Sequence, residues 1–416
     1  MGSVGVATQP FRVLIAGGAY GGVSAAINLL DLSLGRPARL EPDKAPAEEA
    51  RGGVPVRIHI VDERDGYYHT IGSPMALSSP EYAKKAWRKY NDIAALQHPN
   101  VRITQGSLTK IDPDRKLASI KLSTADSEPL EEPYDFFIAA TGLRRVWPVV
   151  PQSLTKESYL TETAGHIANI SAASHGTVII GGGAVGIEMA AETKLYHPST
   201  KVTLVHSRAS LLSSEPLPDE TKDAALTALR DAGVDVLLSQ RVTSTEPSIG
   251  PDGRALQTLT LQDGSQLVAS NVISAISRSV PATAYLPKAA LDADGLVKID
   301  PFFNFLPLHP HNTSHLAIGD LASWPGIKRC GAAIAMGTRA AENVFAHVLS
   351  QCHGKPVELR EWPEYPAMIG LAVGRKAVVY DPQGGTKCSE EMMRVYFGED
   401  LGFQQCWDYQ KLDEGW

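Results

Sequence analysis

The sequence predicts an α/β fold: two Rossmann-like units of parallel strands and helices, followed by a small α+β unit at the C-terminus. Three observations carry this. Two glycine-rich turns, Gly17-Gly18-Ala19-Tyr20-Gly21-Gly22 and Gly181-Gly182-Gly183-Ala184-Val185-Gly186, each follow an apolar run, Phe11–Ala16 and Thr177–Ile180. Each turn opens a small-residue helix, expected over 23–30 and 187–195. Further apolar runs end in Thr141-Gly142 and Gly319-Asp320, and two strand-like runs flank Gly374-Arg375 near the end of the chain.

The elements follow in order. A buried strand, a tight glycine turn and a helix N-terminus bring backbone amides and a positive dipole end to an anion, so each turn reads as a cradle for a dinucleotide pyrophosphate. Two such turns point to a flavin and a nicotinamide nucleotide, FAD and NAD(P)H, held face to face. An acid at the end of the second strand of such a unit accepts ribose hydroxyls. Residues 57–61 lead to Asp62, 45 residues past Gly17; the excess over the usual spacing lies in 32–55, an aperiodic Pro-, Ala-, Arg- and Glu-rich stretch read as a solvated insertion. In the second unit, strand 201–205 ends at His206, 25 residues past Gly181. A carboxylate there would repel a 2′-phosphate; His206 and Ser207 do not, and Arg208 attracts one, so NADPH is expected to serve at least as well as NADH.

Strand 134–140 closes in Thr141 and Gly142, a crossing from one unit to the next. Strand 315–318 closes in Gly319 and Asp320, whose carboxylate is expected beside the ribityl chain and pyrophosphate, and helix 331–347 follows. The expected division is 1–149 with 281–352 for FAD, 150–280 for NAD(P)H, and 353–416 as a C-terminal unit shaping an acceptor site or a dimer contact. There Phe397, Leu401, Phe403 and Trp407 form two i, i+4 pairs in a segment with more apolar surface than a solvated tail needs: tunnel wall, dimer contact, membrane contact or core.

Bulk properties exclude other classes. A net charge of −7 and no basic run disfavour nucleic acid. No stretch has the length of a membrane span, the N-terminus lacks the regions of a signal peptide, and Val6 stands where myristoylation needs Ser or Thr. A cytoplasmic homodimer with at most peripheral membrane contact is expected. Cys330, Cys352, Cys388 and Cys406 are too far apart for a C-x-x-C relay and read as small hydrophobes. No Cys/His cluster has zinc spacing, His309 and His311 flanking Pro310 in a Pro-rich loop, so no metal is expected.

The run from Gly181 through Ile187-Glu188-Met189-Ala190-Ala191-Glu192, then Val202-Thr203-Leu204-Val205-His206-Ser207 and Ala317-Ile318-Gly319-Asp320, resembles the apoptosis-inducing-factor-like flavoproteins. It is most similar to their ferroptosis-suppressor branch, related to type II NAD(P)H:quinone oxidoreductases within the pyridine nucleotide-disulfide oxidoreductase fold. The resemblance implies FAD, NAD(P)H and a quinone-like acceptor reduced without a cysteine pair, and it puts Glu188 near the nicotinamide. His69 is read either as a proton donor to the reduced acceptor or as a packed histidine, and Lys328 either as a stabiliser of negative charge or as a surface lysine. Four departures stand out: Ala19 for the second glycine, Ile276-Ser277 for a second Thr-Gly, the insertion, and the failed acylation pattern. The readings are a quinone-reducing enzyme, a signalling flavoprotein acting through partner contacts, and a flavin monooxygenase, the last lacking F-x-G-x-x-x-H.

Overall fold

A computed structural model of the chain describes residues 9–45, 48–50, 52–123, 128–251, 253–276, 280–307 and 312–416. Ser277, His309, His311 and the first eight residues, on which readings above fall, lie outside them.

The first sheet has seven strands in the order His315–Ala317, Phe136–Ala139, Phe11–Ala16, Val56–Asp62, Val101–Asp112, Leu117–Leu122, Leu130–Pro133. The first five are parallel, and their central members are apolar and covered on both faces, as a parallel sheet requires. Val101–Asp112 is long enough to pair in parallel through its first half and antiparallel through its second. Helices Tyr20–Ser33 and Cys330–His353 cross over this sheet at a seam of small residues. A Cβ on Gly337 would come within 2.5 Å of the Gly21 carbonyl, and Ser24 donates to the Ile334 carbonyl at 2.7 Å. Cys330–His353 outruns the expected 331–347 because apolar residues continue to Val348 and the stop is Gly354, in the left-handed region at φ 65°.

The second sheet, Asp235–Leu237, Val202–Val205, Thr177–Ile180 and Asn271–Ser274, is wholly parallel, with helix Ala184–Tyr196 on it. The crossings between the two sheets meet: Leu143–Arg144 pairs antiparallel with Val280–Pro281.

The structure corrects the reading of 32–55 as a solvated insertion. Ala38, Arg39, Ala50 and Val54 are buried. Arg39 pairs with Asp31 at 3.1 Å, donates to the carbonyls of Lys411 and Glu414, and stacks on Trp416 at 4.5 Å. Lys44 pairs with Glu342, and Glu41 with Arg360. Charged residues without periodicity here are partners of helix Cys330–His353, of the segment that follows it and of the C-terminus, a pairing invisible in local sequence.

At the C-terminus, the strands Ile369–Val373 and Lys376–Asp381 turn at Gly374, and a third, Gly385–Ser389, completes an antiparallel sheet. Ile369, Leu371, Val373 and Val378 pack with the second unit's core. Phe397, Leu401, Phe403 and Trp407 instead join the core of the first sheet, all 9% exposed or less. Of the uses weighed for them, the structure shows core for Leu401, Phe403 and Trp407, while Phe397 packs there and also borders a cavity. Phe397 and Leu401 do not share a helix, because Gly398 and Gly402 break the chain between Glu390–Tyr396 and Phe403–Tyr409. Phe403 and Trp407 do, with rings stacked 5.4 Å apart.

Candidate functional site

The site is built where the parallel strands end. Gly17 has φ 97°, which only glycine adopts without cost, and a Cβ on Gly22 would overlap the Gly17 carbonyl, so the helix starts directly against the turn. Gly181 and Gly186 repeat this relation. Ala19 caps the first helix at φ −91°, a conformation any residue adopts, so its methyl strains nothing. The acid-position residues match in geometry. Asp62 accepts from the Gly18 amide at 2.6 Å and the Arg64 amide at 2.7 Å; His206 Nδ1 accepts from the Gly182 amide at 3.1 Å. Burial raises the Asp62 pKa against those two amides.

One cavity of about 1400 Å³ runs between the units and the C-terminal sheet. Gly17, Ala19, Tyr20, Gly21 and Asp62 line it from the first unit, with Thr141 and Gly142 at the crossing. Thr141 is held by donating to the Ala282 carbonyl at 2.8 Å. Gly319, Asp320 and Lys328 line the opposite side, and Glu188 enters from the second fingerprint helix. Gly18 and Gly22 lie behind this wall. Gly181, Gly183, Gly186, His206 and Arg208 do not line it; their turn faces outward, with Gly183 and Arg208 exposed.

The electrostatics are set mainly by burial. Asp320 has a raised pKa, opposed by Arg145 and Lys328. Lys328 is a wall residue, not a surface lysine: its ammonium donates to the Ala322 carbonyl, and burial lowers its pKa against the pull of Asp320. Glu188 accepts from the Ala372 amide at 3.2 Å, yet burial pushes it up to about 8. One turn on, Glu192 is fully buried, neither carboxyl oxygen has a partner, and burial with the Glu188 charge pushes it to about 8 as well.

His69 sits elsewhere than a proton donor needs to be. It is fully buried and off the cavity wall, and burial lowers its pKa to about 4. Nε2 bonds the Leu401 carbonyl at 2.9 Å, which can only accept, so Nε2 carries the proton and Nδ1 accepts from the Tyr20 hydroxyl at 3.1 Å. The ring is a neutral strut between the first fingerprint helix and the C-terminal segment.

Sequence reasoning passed over several wall residues. Arg145 follows the Thr141-Gly142 crossing, a signal that was available. Trp362 and Tyr365 lie in an aperiodic stretch and carry no local signal. Glu192 stands in the quoted motif, but only the fold shows that it is unpartnered.

A curated relative, oxidoreductase OXR1 of Ajellomyces capsulatus, is 47% identical over 98% of this chain and 89% of its own length. Ferroptosis suppressor protein 1 of Mus musculus is 28% identical over 77% of each chain. Among solved structures, an NAD-dependent persulfide reductase from A. fulgidus aligns with TM-score 0.63 at 18% identity, covering 92% of this chain, which spans 65% of that one. Water-forming NADH oxidase from Lactobacillus brevis, bound to NADH, aligns with TM-score 0.59 at 18% identity, over 89% of this chain and 74% of its own. These two likenesses show a shared fold. With two strand–turn–helix units, the first turn on the cavity wall and the second helix bringing Ala184 and Glu188 to it, and a family model for the pyridine nucleotide-disulphide oxidoreductases matching residues 11–337, the chain belongs to that family.

Proposed function

We propose that the chain is an FAD-dependent oxidoreductase that passes a hydride from NAD(P)H through FAD to a quinone-like small molecule. The observation that carries this reading is that both fingerprint helices open on one cavity, Ala19 and Tyr20 at the start of one, Ala184 and Glu188 at the start of the other. Its volume exceeds the roughly 300–1,000 Å³ of a single-ligand pocket, leaving room for a flavin nucleotide and a second ring against it. The residues fit FAD: the tight turn from Gly17 to Gly22 sets a helix N-terminus at the cavity wall, where Gly17, Ala19 and Gly21 line it, and Asp62 and Asp320 face the cavity as acceptors for sugar hydroxyls. Gly181, Gly183 and Gly186 would cradle the NAD(P)H pyrophosphate, with His206 and Arg208 beside its adenosine ribose. The flavin, when bound, supplies two-electron exchange, taking a hydride from the nicotinamide and passing the electrons on.

The chain's part is binding, orientation and protons. Reducing a quinone to a quinol needs one proton beyond the hydride. Glu188, protonated at neutral pH and on the cavity wall, holds one at its carboxyl oxygen, and the Lys328 ammonium opposes negative charge developing on an acceptor oxygen. The aromatic wall of Phe397, Tyr396, Trp362 and Tyr365 suits a flat ring. The similarity to oxidoreductase OXR1 and to ferroptosis suppressor protein 1 supports an oxidoreductase of this branch. No helix among the described residues is long and apolar enough to cross a membrane. A cytoplasmic setting and a homodimer complete the reading, the dimer supported by Val395 and Tyr409 standing exposed on the C-terminal helices.

The test is steady-state oxidation of NADH and NADPH with and without ubiquinone or menadione, with oxygen uptake recorded in parallel. Quinone-dependent oxidation without matching oxygen uptake is expected. Oxygen uptake that quinone does not suppress would favour a monooxygenase or oxidase. Bound nucleotide with no turnover would favour the signalling flavoprotein.

A further inference from the structure

Tyr20 is the one residue of the first glycine turn with a polar side chain, and it lines the large cavity at the start of helix Tyr20–Ser33. Its hydroxyl accepts from the Ile71 amide at 3.3 Å and lies 3.1 Å from His69 Nδ1. The Leu401 carbonyl, which can only accept, fixes the His69 proton on Nε2 at 2.9 Å, so Nδ1 is free to accept and the Tyr20 phenol donates to it. The pair is held in register: His69 is fully buried, with its ring edge-on to Tyr20 at 5.8 Å and to Phe403 at 5.4 Å.

Other tyrosines nearby lack one half of this arrangement. Tyr285 also lines the cavity, but its hydroxyl donates to Thr141, whose own proton goes to the Ala282 carbonyl; a hydroxyl is no base at neutral pH. Tyr67 packs edge-on against Tyr20 at 5.6 Å, and its buried hydroxyl has no partner. Tyr134 meets His315 at 2.9 Å, but neither of the two lines the cavity. At Tyr20 a phenol on the wall and an imidazole base behind it come together. A phenol that loses an electron becomes a strong acid, and in apolar surroundings the resulting charge is costly unless the proton has somewhere to go. A neutral imidazole already in the hydrogen bond provides that place.

We propose that Tyr20 and His69 form a proton-coupled electron-donor site on the cavity wall, which gives one electron to the light-excited, oxidised flavin. Tyr20 loses one electron, its O–H bond breaks, and the proton crosses the existing hydrogen bond to Nδ1. A neutral phenoxyl radical and an imidazolium result, and the flavin is reduced by that one electron. The imidazolium still donates to the Leu401 carbonyl through Nε2, which opposes the cost of burying its charge. Return of the electron to the ring and of the proton to the phenol oxygen restores both residues, so the excitation is dissipated with no net chemistry. The proposal rests on FAD binding and is independent of the acceptor assigned above.

The test uses the purified full-length holoprotein with its flavin oxidised, excited by a blue pulse and followed by transient absorption in H2O and in D2O. A neutral tyrosyl radical should appear as the excited flavin decays, and should form more slowly in D2O. In Tyr20→Phe the radical should be lost and the flavin emission lifetime lengthened several-fold. His69→Gln keeps an acceptor for the phenol and a donor for the Leu401 carbonyl but supplies no base, so the flavin should stay bound while the neutral radical and its isotope dependence are lost. If that variant does not fold, Tyr20→Phe and the isotope comparison decide. A radical that survives in Tyr20→Phe, an unchanged emission lifetime in that variant, or equal rates in H2O and D2O would overturn the proposal. A purified protein that binds no FAD would overturn the cofactor assignment and the proposal with it.

Discussion

Glu192→Gln should remove a pH dependence of stability that the wild-type protein carries. The side chain is fully buried, both carboxyl oxygens lack partners, and its pKa is pushed from an ordinary 4.5 to about 8. The native state therefore binds a proton that the unfolded chain has released between those values. Stability from this group is complete below about pH 4.5 and is lost as pH rises towards 8, at about 1.4 kcal/mol per pH unit in that window. Glutamine keeps the shape and carries no charge, so it removes that slope, while the parallel contribution of Glu188 remains. Urea unfolding of the holoprotein, followed by far-UV circular dichroism at pH 6 and pH 7, gives the comparison. The wild type should lose about 1.4 kcal/mol more than Glu192→Gln over that unit. Equal slopes in the two proteins would refute the reasoning, since they would mean that Glu192 is ionised in the native state or reaches water.

Asp320→Ala should release much of the flavin, read as a fall in the 450 to 280 nm absorbance ratio of the purified protein; full occupancy would remove Asp320 from the site. Arg208→Ala should raise KM for NADPH more than for NADH, and equal changes would take Arg208 away from the 2′-phosphate. Phe403→Ala should cost about 3–5 kcal/mol in denaturant unfolding, because the ring is buried against His69 and Trp407. By the same packing, deleting 397–416 should lower the melting temperature and flavin content together, rather than spare flavin reduction as a peripheral acceptor lobe would.

Much of the fold was legible because it is written in short-range patterns. Apolar runs such as Phe11–Ala16 and Thr177–Ile180 are strands because both faces are covered, and the glycines that follow them are required where helix and strand backbones touch. Counting from Gly181 to His206 found the histidine that sits against its turn as Asp62 does against the first. The C-terminal strands around Gly374 were equally local.

What the tertiary structure alone decided involves partners far apart in the chain. Residues 32–55 look solvated until Arg39 meets Asp31 and Trp416, and Lys44 meets Glu342. His69 has the composition of a proton donor, but its placement between Tyr20 and Leu401 makes it a neutral strut. The cause is common to both. Periodicity and turn chemistry report on neighbours within a few residues, whereas pKa and ion pairing depend on burial and on distances between distant segments, which the chain acquires only when it packs.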